Sequence, residues 1–108
     1  MSLPVQVVLT LCVLLGVALS LAGSVAANAS EARGAALADA CAACHGPNGR
    51  SQGAIPSIDN LPAEDFMAAL QSFRTGGRTG TVMDRIAKGL DDADISAVGR
   101  YFATRQKR

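Results

Sequence analysis

The stretch Cys41-Ala42-Ala43-Cys44-His45 constrains this chain more than any other. Two thiols at i and i+3 share one face of a helical turn, so both can reach the vinyl groups of a single porphyrin and close thioether bonds. The imidazole that follows at once supplies a ring nitrogen for the iron. The motif therefore implies one covalently bound haem c, with Cys41 and Cys44 as attachment points and His45 as proximal ligand. Three plainer readings compete. A zinc site wants two further Cys or His ligands, yet His45 is the only His and the third Cys, Cys12, lies in an apolar leader. A thioredoxin-like pair wants a βαβ context, and no run alternates with the period of a strand. A structural disulfide fits the motif less well than haem.

No charged side chain precedes Glu31, and Val5 to Ala22 is almost wholly apolar, broken only by Gln6, Thr10, Gly16 and Ser20. Small residues follow at Val25-Ala26-Ala27 and Ala27-Asn28-Ala29, in the pattern that a signal peptidase accepts. Residues 1–29 are thus expected to be an export signal, cut after Ala27 or Ala29, which places the product in the periplasm of a bacterium. The apolar run is also at the lower limit for a spanning helix, about 18 residues, so an uncleaved anchor is the competing reading and the only route by which the protein would meet a membrane. Cys12 reads as a spacer inside the signal.

Residues 30–108 form the expected domain, about 80 residues, in a size range where a core usually needs a staple. With one Tyr, three Phe and no Trp in the chain, an apolar macrocycle tethered by thioethers would serve as that staple. Ten basic and nine acidic residues give a formal charge of +1, and such balance argues against nucleic acid as a partner.

Along this domain the sequence reads as helices. Glu31 to Ala43 is Ala-rich and free of Pro and β-branched residues, which predicts a first helix running into the haem motif, with Ser30 as N-cap. Gly34 suits either close approach by another helix or a tolerated surface position. Gly46 to Asn60 is loop by composition. Pro56 within it has no N–H, so it either presents its carbonyl to the second ring nitrogen of His45 or simply sets a turn. Pro62, Glu64 and Asp65 open a second helix to about Phe73, with Phe66, Leu70 and Phe73 as its apolar stripe and Met67 pointing away from it. Gly76 to Gly80 breaks the chain, and Arg74 or Arg78 nearby could neutralise a haem propionate. Thr81 to Gly89 reads as a short helix with Val82, Met83 and Ile86 apolar and Gly89 as its C-cap. The last helix starts at Asp91-Asp92-Ala93-Asp94 and runs to about Thr104, burying Ile95, Val98 and Phe102, while Gly99 permits close approach. The expectation is an all-α fold of about four short helices around one haem.

With a single His, the sixth ligand of the iron must be another side chain, solvent or substrate. A Met thioether is the usual partner and raises the potential. Met83, after a Gly-rich loop, can approach opposite His45; Met67 sits mid-helix and is the poorer choice.

These motifs together, Cys41 to Gly46, Ile55-Pro56-Ser57, Phe73-Arg74-Thr75-Gly76, Met83, and Ala87 to Ile95 leading to Tyr101-Phe102, resemble a class I cytochrome c over essentially the whole domain. The resemblance implies that Cys41 and Cys44 carry haem, His45 and Met83 are the axial ligands, the Pro56 carbonyl holds His45, and the first and last helices cross with Leu37 and Tyr101 as partners. Within that family, Thr81 to Gly89 is similar to the haem domain of the cytochrome subunit of flavocytochrome c sulfide dehydrogenase, and more loosely to one half of the dihaem cytochromes c4. Some such subunits carry two haems, whereas this chain has one motif.

The leading functional reading is an exported monohaem carrier of single electrons, not itself an enzyme, with a redox protein as partner. A flavoprotein subunit that oxidises sulfide is the partner that the resemblance implies. A free carrier to a terminal oxidase or reductase is the alternative. A small haem enzyme with an open distal site is disfavoured, because no second His is present and a Met is available.

Overall fold

The computed structural model describes residues 4–106, which divide into two compact units, one ending at Ser30 and one beginning at Glu31. The elements are α1 (Val5–His45), a short 3-10 turn (Pro47–Gly49), α2 (Ala63–Thr75), α3 (Met83–Lys88) and α4 (Asp92–Gln106), with no strand among the described residues. The fold is all-α, as its sequence periodicity predicts.

In the first unit the apolar side chains face outward: Leu15 and Leu19 are 72% and 76% exposed. The hydroxyls of Thr10, Ser20 and Ser24 each donate to the carbonyl four residues back, so the few polar side chains in this stretch are satisfied by the helix itself. The helix meets the length and apolarity of a membrane span, a test that an export signal near an N-terminus also meets.

The expected start of the first helix at Ser30 is corrected by the structure, where Ser30 lies inside α1. A cap must leave helical backbone geometry, and nothing around it encourages that. Ala26, Ala27 and Ala29 are strong helix formers, and no Pro interrupts the chain between Val5 and His45.

In the second unit the core is Ala38, Phe66, Leu70, Ile95, Val98 and Phe102, with Leu37, Cys41, Met67, Met83 and Tyr101 among the half-buried side chains packed against it. Two glycines set how closely the helices meet. A Cβ on Gly34 of α1 would stand 2.5 Å from the carbonyl oxygen of Ala97 and 3.4 Å from the Cβ of Tyr101. The α1–α4 crossing therefore runs through Gly34, Ala97 and Tyr101, and Leu37 lies against the same core. On α4, a Cβ on Gly99 would meet the Cγ of Met67 at 2.6 Å, so Met67, off the Phe66–Leu70 stripe, seals α2 against α4. Phe66 and Phe102 stack at 5.3 Å, and Tyr101 meets Phe102 edge-on at 5.5 Å.

The start of α4 is a reciprocal cap. The Asp91 carboxylate accepts from the Asp94 amide at 2.8 Å, and the Asp94 carboxylate faces the Asp91 amide at 3.4 Å. Asp94 also accepts from Arg33 of α1 at 2.7 Å. The Arg33 hydrogen bond holds the Asp94 carboxyl below its usual range.

α3 is shorter than the sequence suggests. It begins at Met83, ends in Gly89 with ordinary right-handed backbone, and buries Ala87 completely, while Val82 and Ile86 are exposed. Six residues give less than two turns, too few to present both a broad apolar stripe and a left-handed C-cap.

Candidate functional site

Cys41 and Cys44 occupy the last turn of α1, and His45 is its final residue. Neither takes part in a disulfide. Cys41 is half-buried against the core, and that burial pushes its thiol pKa up; Cys44 is exposed.

His45 is only 8% exposed, and its Nδ1 lies 2.6 Å from the Pro56 carbonyl oxygen. A carbonyl can only accept, so the proton sits on Nδ1 and the lone pair on Nε2 is left for a ligand. The backbone just after His45 makes this contact possible. Gly46, Asn48 and Gly49 have φ of 89°, 56° and 78°, left-handed values that turn the chain back on itself at low cost in Gly and Asn. A side chain on Gly46 would collide with the Arg50 carbonyl, and one on Gly49 would stand 2.8 Å from the Phe102 ring.

The returning loop is then fastened along its length. The Gly49 carbonyl accepts from the amides of Ile58 (2.8 Å) and Asp59 (3.3 Å). The Ser51 amide donates to the Ser57 hydroxyl at 2.9 Å, and Arg50 pairs with Asp59 at 3.0 Å. From α4, Arg105 donates to the Asn48 side chain at 2.9 Å, and Gln106 donates to the carbonyls of Asp59 and Leu61. A hollow of about 430 Å³ opens between the end of α1 and this loop, with Cys44, Pro47, Ser51 and Ile55 in its wall.

Met83 is half-buried at the first position of α3 and packs on the same core as Cys41. A Cβ on Gly80 would touch the Phe73 ring at 2.9 Å and the Met83 Cβ at 3.4 Å, which places Met83 beside Phe73. The Arg78 guanidinium lies 4.7 Å from the Phe73 ring centroid and is exposed.

Arg74, read from sequence as an alternative partner for a propionate, is engaged elsewhere. It donates to the Leu90 carbonyl at 3.0 Å and to the Gln71 side chain at 2.8 Å, and it pairs with Asp92. The Arg74 hydrogen bond holds the Asp92 carboxyl below its usual range. Sequence reasoning missed this set of contacts and those of Asn48, Arg105 and Gln106. Apart from the Arg74–Gln71 bond within α2, each joins residues far apart in the chain, and no local pattern announces them.

Among the described residues no three His, Cys, Asp or Glu side chains gather as a metal site. The residues present fit haem on donor chemistry. They offer two thiols on one helical turn, an imidazole with one nitrogen already committed, and a thioether on a separate element.

The sequence profile of the family described as Cytochrome c matches residues 31–106. The cytochrome subunit of sulfide dehydrogenase from Chlorobaculum tepidum is 42% identical over 79 residues, 73% of this chain and 72% of that protein. Cytochrome c-553 from Desulfomicrobium norvegicum is 33% identical over 67 residues, 59% of this chain and 84% of that protein. Cytochrome c4 from Pseudomonas aeruginosa is 30% identical over 89 residues, 82% of this chain but 44% of that protein.

Proposed function

Because the chain belongs to the cytochrome c family and so carries covalently bound haem c and transfers electrons, we propose that its electrons pass through an iron held between His45 and Met83. Haem c supplies a one-electron Fe(III)/Fe(II) couple at this site. Cys41 and Cys44 are the two thioether positions. His45 would hold iron through Nε2 while its Nδ1–H donates to the Pro56 carbonyl, which fixes the ring and its tautomer and makes Nε2 a better donor. Met83 is the distal ligand, and Arg78 is the cation available to a propionate. The observation that carries this reading is the 2.6 Å contact from His45 to Pro56, because a histidine held this way, directly after two thiols on one turn, is oriented before any iron arrives.

Export to the bacterial periplasm, with removal of residues 1–29 after Ala27 or Ala29, belongs to the same proposal and rests on the uncharged apolar leader. So does the partner. The likeness to a sulfide dehydrogenase cytochrome subunit supports docking to a redox protein that oxidises sulfide, for which a flavoprotein subunit is our reading. A free carrier is the second reading. Arg78, Arg85 and Lys88 are all exposed around Met83, and such a set of cations suits a transient acidic partner.

The test is Met83→Ala. It should abolish the far-red absorption band that marks thioether on ferric iron, lower the potential and open the iron to carbon monoxide. Met67→Ala should leave all three unchanged while lowering stability by about 2 kcal/mol, the lower end for truncating a packed Met. The reverse pattern would reject Met83 as ligand.

A further inference from the structure

The segment from Gly76 to Leu90, which carries Met83, rests on the core through Met83 and the buried Ala87 and is tied at both ends. At its start the Arg78 amide donates to the Ser72 carbonyl at 3.0 Å. At its far end Leu90 packs on the core, and the Leu90 carbonyl accepts from Arg74. Arg74 stands in the last turn of α2, just before the segment leaves that helix. Its guanidinium therefore ties the exit of the segment to its entrance. Gln71 completes the knot, accepting from Arg74 and donating to Asp92 at 3.1 Å.

The two arms of this knot differ in weight. Asp92 has 83% of its side chain exposed and Arg74 has 25%, so the ion pair is solvent-screened and contributes little by itself. The bond to the Leu90 carbonyl is the charged hydrogen bond on the more sheltered side, and such bonds contribute more than neutral ones. Closing a loop at its base removes conformational freedom that a side chain within it would otherwise lose on binding. A ligand carried mid-segment then competes with external ligands at a raised effective concentration.

We propose that Arg74 is a positioning residue for the distal ligand: by joining the end of α2 to the Leu90 carbonyl it holds the Met83 segment closed and keeps Met83 on the iron. The inference rests on Met83 being that ligand. It requires no contact between Arg74 and haem.

Titration of the ferric full-length haem protein with imidazole, followed by loss of the far-red band, measures how readily Met83 is displaced. Arg74→Gln should raise the apparent imidazole affinity by about tenfold or more, about 1.4 kcal/mol for each factor of ten. Asp92→Ala, which leaves the Leu90 bond in place, should raise it less, and it keeps the test open if Arg74→Gln does not accumulate. Arg50→Gln removes a similar exposed pair from the other loop and should leave imidazole affinity unchanged, although both variants lower thermal stability. An Arg74→Gln affinity within twofold of the parent, or an equal rise in Arg50→Gln, overturns the proposal. Persistence of the far-red band in Met83→Ala overturns the ligation reading itself, which is a separate failure.

Discussion

The two connections that follow α1 and α2, Gly46 to Leu61 and Gly76 to Leu90, are of similar length and built on different plans. The first is stitched to itself and to α4 at Gly49, Arg50, Ser51, Asp59 and Leu61, and it delivers the Pro56 carbonyl to His45. The second is fastened by Arg78 and Phe73 where it begins and by Arg74 where it ends, and it delivers Met83 from its middle. One loop is laced to itself and to a neighbouring helix, and the other is an arch tied at its base, with Ala87 buried and Met83 packed on the core between its ends. On this difference the His45 side of the iron should be permanent and the Met83 side exchangeable.

The comparison can be broken most completely by removing the group that both loops are thought to enclose. The Cys41→Ser/Cys44→Ser double variant should lose haem attachment and fail to accumulate, since a core with so few aromatics lacks its staple. A well-folded haem-free product, seen by circular dichroism and mass, would show that the loops are organised without it.

A smaller change tests the stitched loop alone. Gly49→Ala places a Cβ 2.8 Å from the Phe102 ring at a left-handed φ, which costs about 1–3 kcal/mol. Thermal melts should fall accordingly while the far-red band at low temperature persists. Loss of the band with unchanged stability would mean that the two loops are coupled.

Acid should lower stability through two carboxyls. The carboxyls of Asp92 and Asp94 lie below their usual range in the folded chain, held mainly by Arg74 and Arg33 respectively. In the unfolded chain they take up protons at higher pH, near 3.9. Their stabilisation is therefore present above about pH 4 and lost as pH falls through their lower folded values. An acid series of thermal melts should show stability falling below about pH 4, and Asp94→Asn, at the better buried of the two carboxyls, should blunt the fall more than Asp92→Asn.

The smallest effect concerns charge. Arg50 of the stitched loop is paired with Asp59, whereas Arg78, Arg85 and Lys88 around the arch are exposed. Electron exchange with an acidic partner should slow as ionic strength rises, and Arg78→Glu or Lys88→Glu should slow it further at low salt. Rates indifferent to both, with co-purification through high salt, would favour a permanent apolar interface.

Much of this arrangement is legible in the sequence because it is local. The stripe of Phe66 and Leu70, the Asp91 cap and the break at Gly76 follow from short-range spacing. Gly34 and Gly99 read as sites of close approach, and Ala97 and Met67 turn out to be what approaches them. What local pattern does not convey is the partner of a charge. Arg74 beside a Gly-rich loop has the same local sequence whether it faces a propionate or a carbonyl beyond the next helix. The N-terminal boundary failed for a different reason. An Ala-rich stretch sustains a helix across a point where a possible cap stands, and a Ser without a change in backbone geometry is only another residue of the helix. Val82 and Ile86 misled because apolar composition says nothing of which side a six-residue helix presents.

The α1–α4 crossing at Gly34 and Ala97 also orders events in time. The first helix can find its seat only after Ala97, far along the sequence from Gly34, has been made and folded into α4. Until then Cys41, Cys44 and His45 remain on an undocked helix without the last element of the core. Contacts so distant in sequence form late, and their lateness keeps the two thiols accessible during the interval in which haem must be joined to them.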